Sequence, residues 1–291
     1  MDTPKISIIT PSFNQGAYLE ETIQSVLSQQ YPNLEYIIID GGSTDGSVDI
    51  IRKYENQLSY WVSEPDKGMY HAIQKGFDKS TGEIMAWINS DDMYHRKSLF
   101  TVAGIFNSFP SVNWLQGQST FFDESGRVVE AYKSRMFTKF DFYNHDYSFI
   151  QQESTFWRRS LWLKAGAALD CRLLYAGDFA LWLKFFSFDK LYVTDALIGG
   201  FRIRSSNQLS IEHREEYVAE VSKELASVRL NKEDSRILKR YKQFLIFIRF
   251  LKRLKIFRTD WILKRYSNKH FPVSQRIVFS QSSLQFELKD V

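Results

Sequence analysis

Two adjacent carboxylates, Asp91 and Asp92, follow the largely apolar run Glu83-Ile84-Met85-Ala86-Trp87-Ile88 after only Asn89-Ser90. A short apolar run bounded by polar residues reads as a buried strand. The acids then emerge where the strand leaves its sheet, which in an open α/β sheet is where ligands bind. Side-by-side carboxylates repel each other and are costly to desolvate unless a cation neutralises them. Mg²⁺ or Mn²⁺ carrying a substrate's phosphates would do so, since hard cations prefer carboxylate oxygen. The competing reading is a solvated Asp-Asp turn in which Asp92 caps the next helix. Two further acids stand at comparable places. Asp40 precedes Gly41-Gly42, which permits close backbone approach and suits an acceptor for a nucleobase or ribose donor; taken alone, a tight turn with Ser43 or Asp45 capping a helix at Ser47 is the better explanation. Asp178 is the only acid in the apolar-aromatic stretch from Leu173 to Phe186. Partial burial there would raise its pKa and strengthen it as a general base, whereas helix N-capping is its structural alternative.

The elements that must position these acids follow from spacing. Lys5–Thr10 reads as a strand closed by the turn-forming Pro11-Ser12-Phe13-Asn14-Gln15-Gly16. Leu19, Ile23, Val26 and Leu27 recur at helical spacing before Pro32. Leu34–Ile39 is a second buried strand, Val48–Tyr54 a helix, Tyr60–Val62 a short strand and Met69–Phe77 a helix, with a loop at 64–68. Such alternation through residue 110 predicts βαβ units and a parallel sheet. Beyond Pro110, residues 114–118 and 119–122 read as strand, paired with 127–129 as a hairpin. Residues 133–150 read as an aromatic-rich loop or lid. Helices are expected at 160–165 and 178–186, a late strand at 197–203, and a mainly helical tail from Glu212.

The 291 residues are 44% hydrophobic and 25% charged, the composition of a soluble globular protein. The lone Cys171 excludes an internal disulfide framework, fits a reducing compartment and reads as a buried small hydrophobe. Neither a signal peptide nor an apolar run long enough to span a membrane is evident, so a cytoplasmic protein is expected. The five histidines, His145 among them, lack metal-ligand spacing. The net charge of +4 is unevenly spread: residues 236–266 alone carry +10, which leaves −6 for the rest. In that tail, basic side chains mix with Phe244, Leu245, Phe247, Ile248, Leu251, Leu254, Ile256 and Phe257. That pattern suits an interfacial helix on anionic lipid, peripheral on the inner face of a membrane, or else a helix packed on the preceding domain. The basic residues alternate with aliphatics more than with stackable aromatics, which argues against nucleic acid.

The first βα turn has neither the Gly-x-Gly-x-x-Gly of dinucleotide binders nor a Walker loop, which disfavours a nicotinamide-dependent oxidoreductase. Ile9-Thr10-Pro11-Ser12-Phe13-Asn14, the turn 40–46, Asn89-Ser90-Asp91-Asp92 and Ala176-Gly177-Asp178-Phe179-Ala180-Leu181-Trp182-Leu183 occur in an order that resembles the family 2 glycosyltransferases. The resemblance covers roughly residues 5–205. It implies a GT-A fold, a Rossmann-like mixed α/β sheet, over 1–210, followed by a helical basic extension over 211–291. It further implies transfer of a sugar, with inversion, from a nucleotide-sugar donor (UDP- or GDP-linked) to a hydroxyl acceptor, with a divalent cation, Mn or Mg. Bacterial surface polysaccharide or glycolipid synthesis, with a glycan or lipid-linked acceptor, is the expected setting. By the same resemblance Asp40, with the backbone of Pro11 and Phe13, holds the base. Asp91 and Asp92 match the DXD-type pair for ribose, metal and diphosphate, and Asp178 matches the base that deprotonates the acceptor. Glu64, Asp66 and Lys67 lie near the donor, and Gln152 and Glu153 on the acceptor side.

Three departures stand out. Asp40 is followed by Gly41 where many members carry a second acid, and Gly177 precedes Asp178 where many carry Glu. After the late strand, relatives often place a His where this chain reads Phe201-Arg202-Ile203-Arg204-Ser205. An Arg cannot ligate a cation but can pair with phosphate oxygens, so Arg204 or Arg202 is expected to grip the diphosphate unless it is a surface arginine. The alternative function is a catalytically weak domain of this fold, serving as a nucleotide- or glycan-binding partner module.

Overall fold

The computed structural model describes residues 3–146, 150–205, 212–255, 262 and 275–289. Four parallel strands form its first half: β1 (Ile6–Ser12), β2 (Leu34–Asp40), β3 (Tyr60–Ser63) and β4 (Ile84–Trp87). β1 pairs with β2 on one side and with β4 on the other. The crossover helices are α1 (Gly16–Leu27), α2 (Ser47–Tyr54) and α3 (Met69–Lys79). β1, β2 and β4 are almost wholly buried because helices cover both faces, as their unbroken Ile-rich runs require.

The second half turns the sheet mixed. β5 (Met93–Tyr94) and α4 (Ser98–Ser108) precede the long β6 (Trp114–Phe122) and β7 (Val128–Tyr132), whose hairpin slips register between Phe121 and Phe122. β8 (Thr155–Arg158) inserts antiparallel between β4 and β6, and β9 (Tyr192–Arg202) runs parallel to β6. With β10 (Gln275–Ser280) and β11 (Gln285–Lys289) the order is β11-β10-β9-β6-β8-β4-β1-β2-β3. The mixed sheet with flanking helices is that of a GT-A fold.

Several expectations are amended. β8 has no counterpart in the sequence reading, and β9 begins five residues before the expected strand. The presumed lid contains a short helix, α5 (Lys139–Tyr143), and is pinned rather than open. Asp141 accepts from the Thr138 backbone and hydroxyl and pairs with Arg135, while Phe142 stacks on Phe179 at 4.8 Å. α6 (Arg159–Lys164) and α7 (Gly177–Phe186) match expectation. Beyond residue 210 come α8 (Arg214–Ser227) and α9 (Lys232–Arg253), but also the β10–β11 hairpin. β10 pairs with β9, so the tail completes the sheet rather than standing apart from it.

One core layer joins α7 to the sheet. Trp182 stacks on Trp87 at 6.1 Å and on Trp114 at 5.5 Å, with Trp157 edge-on at 5.9 Å. All four indoles are buried. Aromatic pairs of this kind add about 0.5–1.5 kcal/mol each beyond the area they bury. The layer fixes the start of α7, where Asp178 sits, relative to the end of β4, where Asp91 and Asp92 follow.

Candidate active site

Three loops at the carboxyl ends of β1, β2 and β3 converge on one wall. Asp40 is buried and its carboxylate is engaged by its own turn. Oδ2 accepts from the Gly42 and Ser43 amides and the Ser63 hydroxyl, and Oδ1 accepts from the Ser43 hydroxyl at 2.6 Å. The turn is bound to the loop after β1, since Gly41 N donates to Ser12 O and Asn14 Oδ1 accepts from Thr44 N. Asp45 accepts from Ser47, as expected of a residue ahead of α2, and also from Gly16 N. A Cβ on Gly41 would meet Asp66 Oδ2 at 2.9 Å and the Phe13 ring at 3.3 Å. Glycine therefore lets Asp66 and Phe13 close over the turn, where a bulkier residue would push them apart. Phe13 leaves 60% of its surface exposed, an unusual state for an aromatic side chain at the foot of a loop. Lys67 is exposed beside Asp66, and Glu64 is held by an ion pair with Lys75.

The acid pair is held more rigidly than a solvated turn would be. Asp92 is fully buried; Oδ1 accepts from Arg202 N at 2.9 Å and Oδ2 from Asn89 Nδ2 at 3.1 Å. Burial, with the charges of Asp91 and Glu153 beside it, pushes its carboxyl well above the ordinary range. Asp91 is more open, and burial raises its pKa against the opposing pull of Arg204. These are hard oxygen donors under strain from each other, and the buried Asn89 Oδ1 beside them has no hydrogen-bond partner among the described residues. The donor set fits Mg²⁺ or Mn²⁺, which would relieve the repulsion. Among the described residues no three His, Cys, Asp or Glu side chains form a cage alone. The remaining ligands of such an ion would have to come from substrate or water, the usual habit of Mg²⁺ at phosphates.

Arg202 departs from expectation. Its side chain is fully buried, with Nε on Asp91 O at 2.6 Å, Nη1 on Glu124 O at 2.9 Å and Nη2 on Glu21 at 2.7 Å. Those bonds aim the guanidinium at the protein, so it builds the Asp91–Asp92 turn and is not presented to a diphosphate. Arg204 instead reaches Asp91 Oδ2 at 3.2 Å and Gln15 Oε1 at 3.0 Å, with Tyr18 beneath it at 5.5 Å. It is not a surface arginine: only 8% of its side chain is exposed.

Asp178 opens α7. Phe179 N donates to its Oδ1 at 2.7 Å and Tyr70 OH approaches the same oxygen at 3.5 Å. Burial lifts its carboxyl to about 6. The glycine before it has a steric cause: a Cβ on Gly177 would lie 2.7 Å from the Tyr70 ring. Tyr70 fills the space that a side chain at 177 would need. Glu153 is buried and feels the charge of both acid groups. Burial pushes its carboxyl up to about 8, and the charges of Asp91 and Asp178 both add to the rise. Gln152 is buried, with its amide donating to Trp87 O at 2.6 Å, so its nitrogen is committed to the end of β4.

This architecture is a GT-A fold. Two solved structures share this fold. Residues 1–349 of Staphylococcus aureus TarS, solved in complex with UDP-GlcNAc, superpose with a TM-score of 0.63 at 20% identity, covering 80% of this chain and 70% of that one. The mannosyltransferase PcManGT from Pyrobaculum calidifontis, in complex with GDP-Man and Mn²⁺, gives 0.61 at 18% identity over 82% and 69%. Residues 7–166 match the family model for glycosyl transferase family 2, and the chain belongs to that family. Among curated relatives, a teichuronic acid biosynthesis glycosyltransferase assigned as TuaG in Bacillus subtilis is 37% identical over 99 residues, 33% of this chain and 39% of that protein. A glycosyltransferase of Rickettsia typhi is 25% identical over 225 residues, 75% of this chain and 70% of that protein. The matches to the first relatives span only about a third to two-fifths of their lengths.

Proposed function

We propose that this enzyme transfers a sugar, with inversion, from a nucleoside-diphosphate sugar to a hydroxyl of a glycan or lipid-linked acceptor in building a bacterial surface polymer. The observation that carries the reading is the mutual electrostatic influence of Asp91 and Asp92 after β4, Glu153 ahead of β8 and Asp178 at the start of α7. The wall of Phe13, Gly41 and Asp66, with the backbone of Pro11 and the turn at Asp40, receives the base. Phe13 offers a ring face and Asp66 Oδ2 an acceptor for a base N–H; Lys67 is at hand for phosphate. Asp40 supports this wall through its own turn rather than by a free carboxylate.

Asp91 and Asp92 would hold the divalent cation. When bound, that ion supplies charge stabilisation to the departing diphosphate. Arg204 pairs with diphosphate oxygens as a bidentate donor. Asp178 Oδ2 accepts the acceptor's hydroxyl proton while that oxygen attacks the anomeric carbon. The bond from this carbon to the phosphate oxygen breaks, and the nucleoside diphosphate leaves with the electron pair. A base with a pKa near 6 is mostly ionised at neutral pH yet retains proton affinity. Gln152 and Glu153 border the acceptor side.

α9 supports a peripheral role at an anionic membrane. One face packs through Leu238, Phe244 and Ile248, while Ile246, Phe247, Phe250 and Leu254 form an opposite, exposed apolar stripe. Lys242, Arg249 and Arg253 flank that stripe and are exposed. Apolar insertion with basic margins is the chemistry of an anionic lipid surface. The rest of the basic tract, 256–261 and 263–266, lies outside the described residues. No helix among the described residues is long and apolar enough to cross a membrane.

A thermal-shift panel of UDP, GDP, UDP-GlcNAc and GDP-mannose, each with and without Mn²⁺, tests the donor reading. A midpoint that rises with ligand excess, and rises further with Mn²⁺, is expected. Indifference to every member would refute it.

A further inference from the structure

The loop that delivers Asp178 is held from outside the matched family segment. Glu220, on α8, takes three consecutive backbone amides: Leu174 N on Oε1 at 2.9 Å, and Tyr175 N and Ala176 N on Oε2 at 3.0 and 2.9 Å. α7 has no side-chain cap of its own, since Ala176 stands at its N-cap. A carboxylate gathering the amides just ahead of a helix satisfies donors that would otherwise be orphaned and complements the helix dipole. α8 itself is anchored: Val221 is fully buried in the main core, and Tyr217, Leu225 and Val228 pack against it. His213, at the start of α8, stacks on Tyr175 at 4.7 Å. From the other side Tyr70 donates to Tyr175 O at 3.1 Å and packs on Gly177. The base loop is thereby gripped between α3 and α8.

We propose that Glu220 is a positioning residue for the reaction: by clamping the amides of Leu174, Tyr175 and Ala176 it sets the position of Asp178 and adds negative charge to its surroundings. The extension is thus part of the catalytic machinery and not only a membrane attachment. The inference rests on Asp178 being the general base. Placement errors of about 1 Å at a reacting group can cost about 10²-fold, so a three-bond clamp on the base loop has leverage on turnover without touching the donor.

The groups facing Asp178 are Tyr70 from α3, Glu220 and Tyr217 from α8, and Glu153 from the turn before β8. Glu220 raises the Asp178 pKa through its charge. Glu220→Gln keeps one acceptor oxygen and removes that charge; Glu220→Ala removes both. The test uses the full chain with Mn²⁺ and whichever of UDP-GlcNAc and GDP-mannose it hydrolyses, scoring nucleoside diphosphate release against pH. Hydrogen exchange of the 172–180 segment is followed in parallel.

Glu220→Ala is expected to lower kcat at least tenfold, leave the donor KM within twofold and unprotect the amides at 174–176. Glu220→Gln is expected to lose less rate and to move the acid limb of the profile to lower pH, because the base then binds its proton less tightly. If Asp178→Asn abolishes release but both Glu220 variants keep wild-type kcat, limb and amide protection, the clamp is overturned. If Asp178→Asn leaves release intact, the base assignment has failed and the clamp's catalytic role fails with it.

Discussion

Arg204 Nη2 lies 3.2 Å from Asp91 Oδ2, and the same guanidinium reaches Gln15 in the first βα turn. This side chain therefore bridges the acid pair to the loop that lies against the donor wall. On the proposed reading, a donor's diphosphate would compete for its N–H groups and free Asp91 for a cation. Arg204→Ala should weaken UDP or GDP binding about 10–100-fold, the worth of a charge-assisted pair. In the absence of nucleotide, Mn²⁺ should bind the variant more tightly, as Asp91 no longer shares its charge. Calorimetry for nucleotide and electron paramagnetic resonance for free Mn²⁺ read the two effects separately; unchanged nucleotide affinity would remove Arg204 from the donor site.

Arg202 should behave differently. Its guanidinium is locked to Asp91 O, Glu124 O and Glu21 with no exposed surface. Arg202→Ala should cost roughly 3 kcal/mol of folding stability, because it strands buried carbonyl acceptors and removes an ion pair. Urea denaturation measures this. A variant as stable as the parent but weakened only toward diphosphate would restore the direct-contact role.

Asp178 gives a pH signature in stability as well as rate. Its folded pKa, about 6, lies above the ordinary aspartate value, so the folded state binds this proton more tightly than the unfolded chain. Stability from this group is therefore present at acid pH and is lost as pH rises from about 4 through 6. Asp178→Asn should raise stability at pH 7–8 on the order of 1–2 kcal/mol, with the gain fading toward pH 4. Thermal midpoints of the two proteins across that range make the comparison; a gain independent of pH would contradict the raised pKa.

The exposed stripe of α9 allows the proposed membrane attachment to be tested apart from the chemistry. Phe247→Asp with Phe250→Asp should abolish flotation with liposomes containing anionic lipid while leaving nucleotide binding unchanged. Parent protein that stays wholly in the soluble fraction, with and without anionic lipid, would end the membrane reading.

What the chain disclosed of its fold follows from how local each signal is. β1, β2 and β4 are continuous apolar runs ending in polar turns, and α1 carries its core residues at i, i+4 and i+7, so each is legible in one window. β8 is not: Thr155–Arg158 is four residues with no alternation, and it becomes a strand because β4 and β6, each about 40 or more residues away, leave a slot for it. β10 is a strand on the same terms, fixed by pairing with β9, and β11 by pairing with β10. α5 hid among aromatics because five residues carry too little periodicity. The acids of the site were visible as types at strand ends. The difference between Arg202 and Arg204 was not, since the partners of Arg202 lie 78 to 181 positions away. Glu220 carries no local mark either, as its bonds are to backbone amides 44–46 residues earlier.

Turnover of the donor is the most direct test of one crevice in which paired acids hold charge beside a separate base. Nucleoside diphosphate released from UDP-GlcNAc and from GDP-mannose, with Mn²⁺, is to be compared among the parent, Asp92→Ala and Asp178→Asn. The account predicts release by the parent from at least one donor, with loss of about 10²–10⁴-fold in Asp178→Asn and no rescue of Asp92→Ala by added Mn²⁺. Parent-level release by either variant would contradict it.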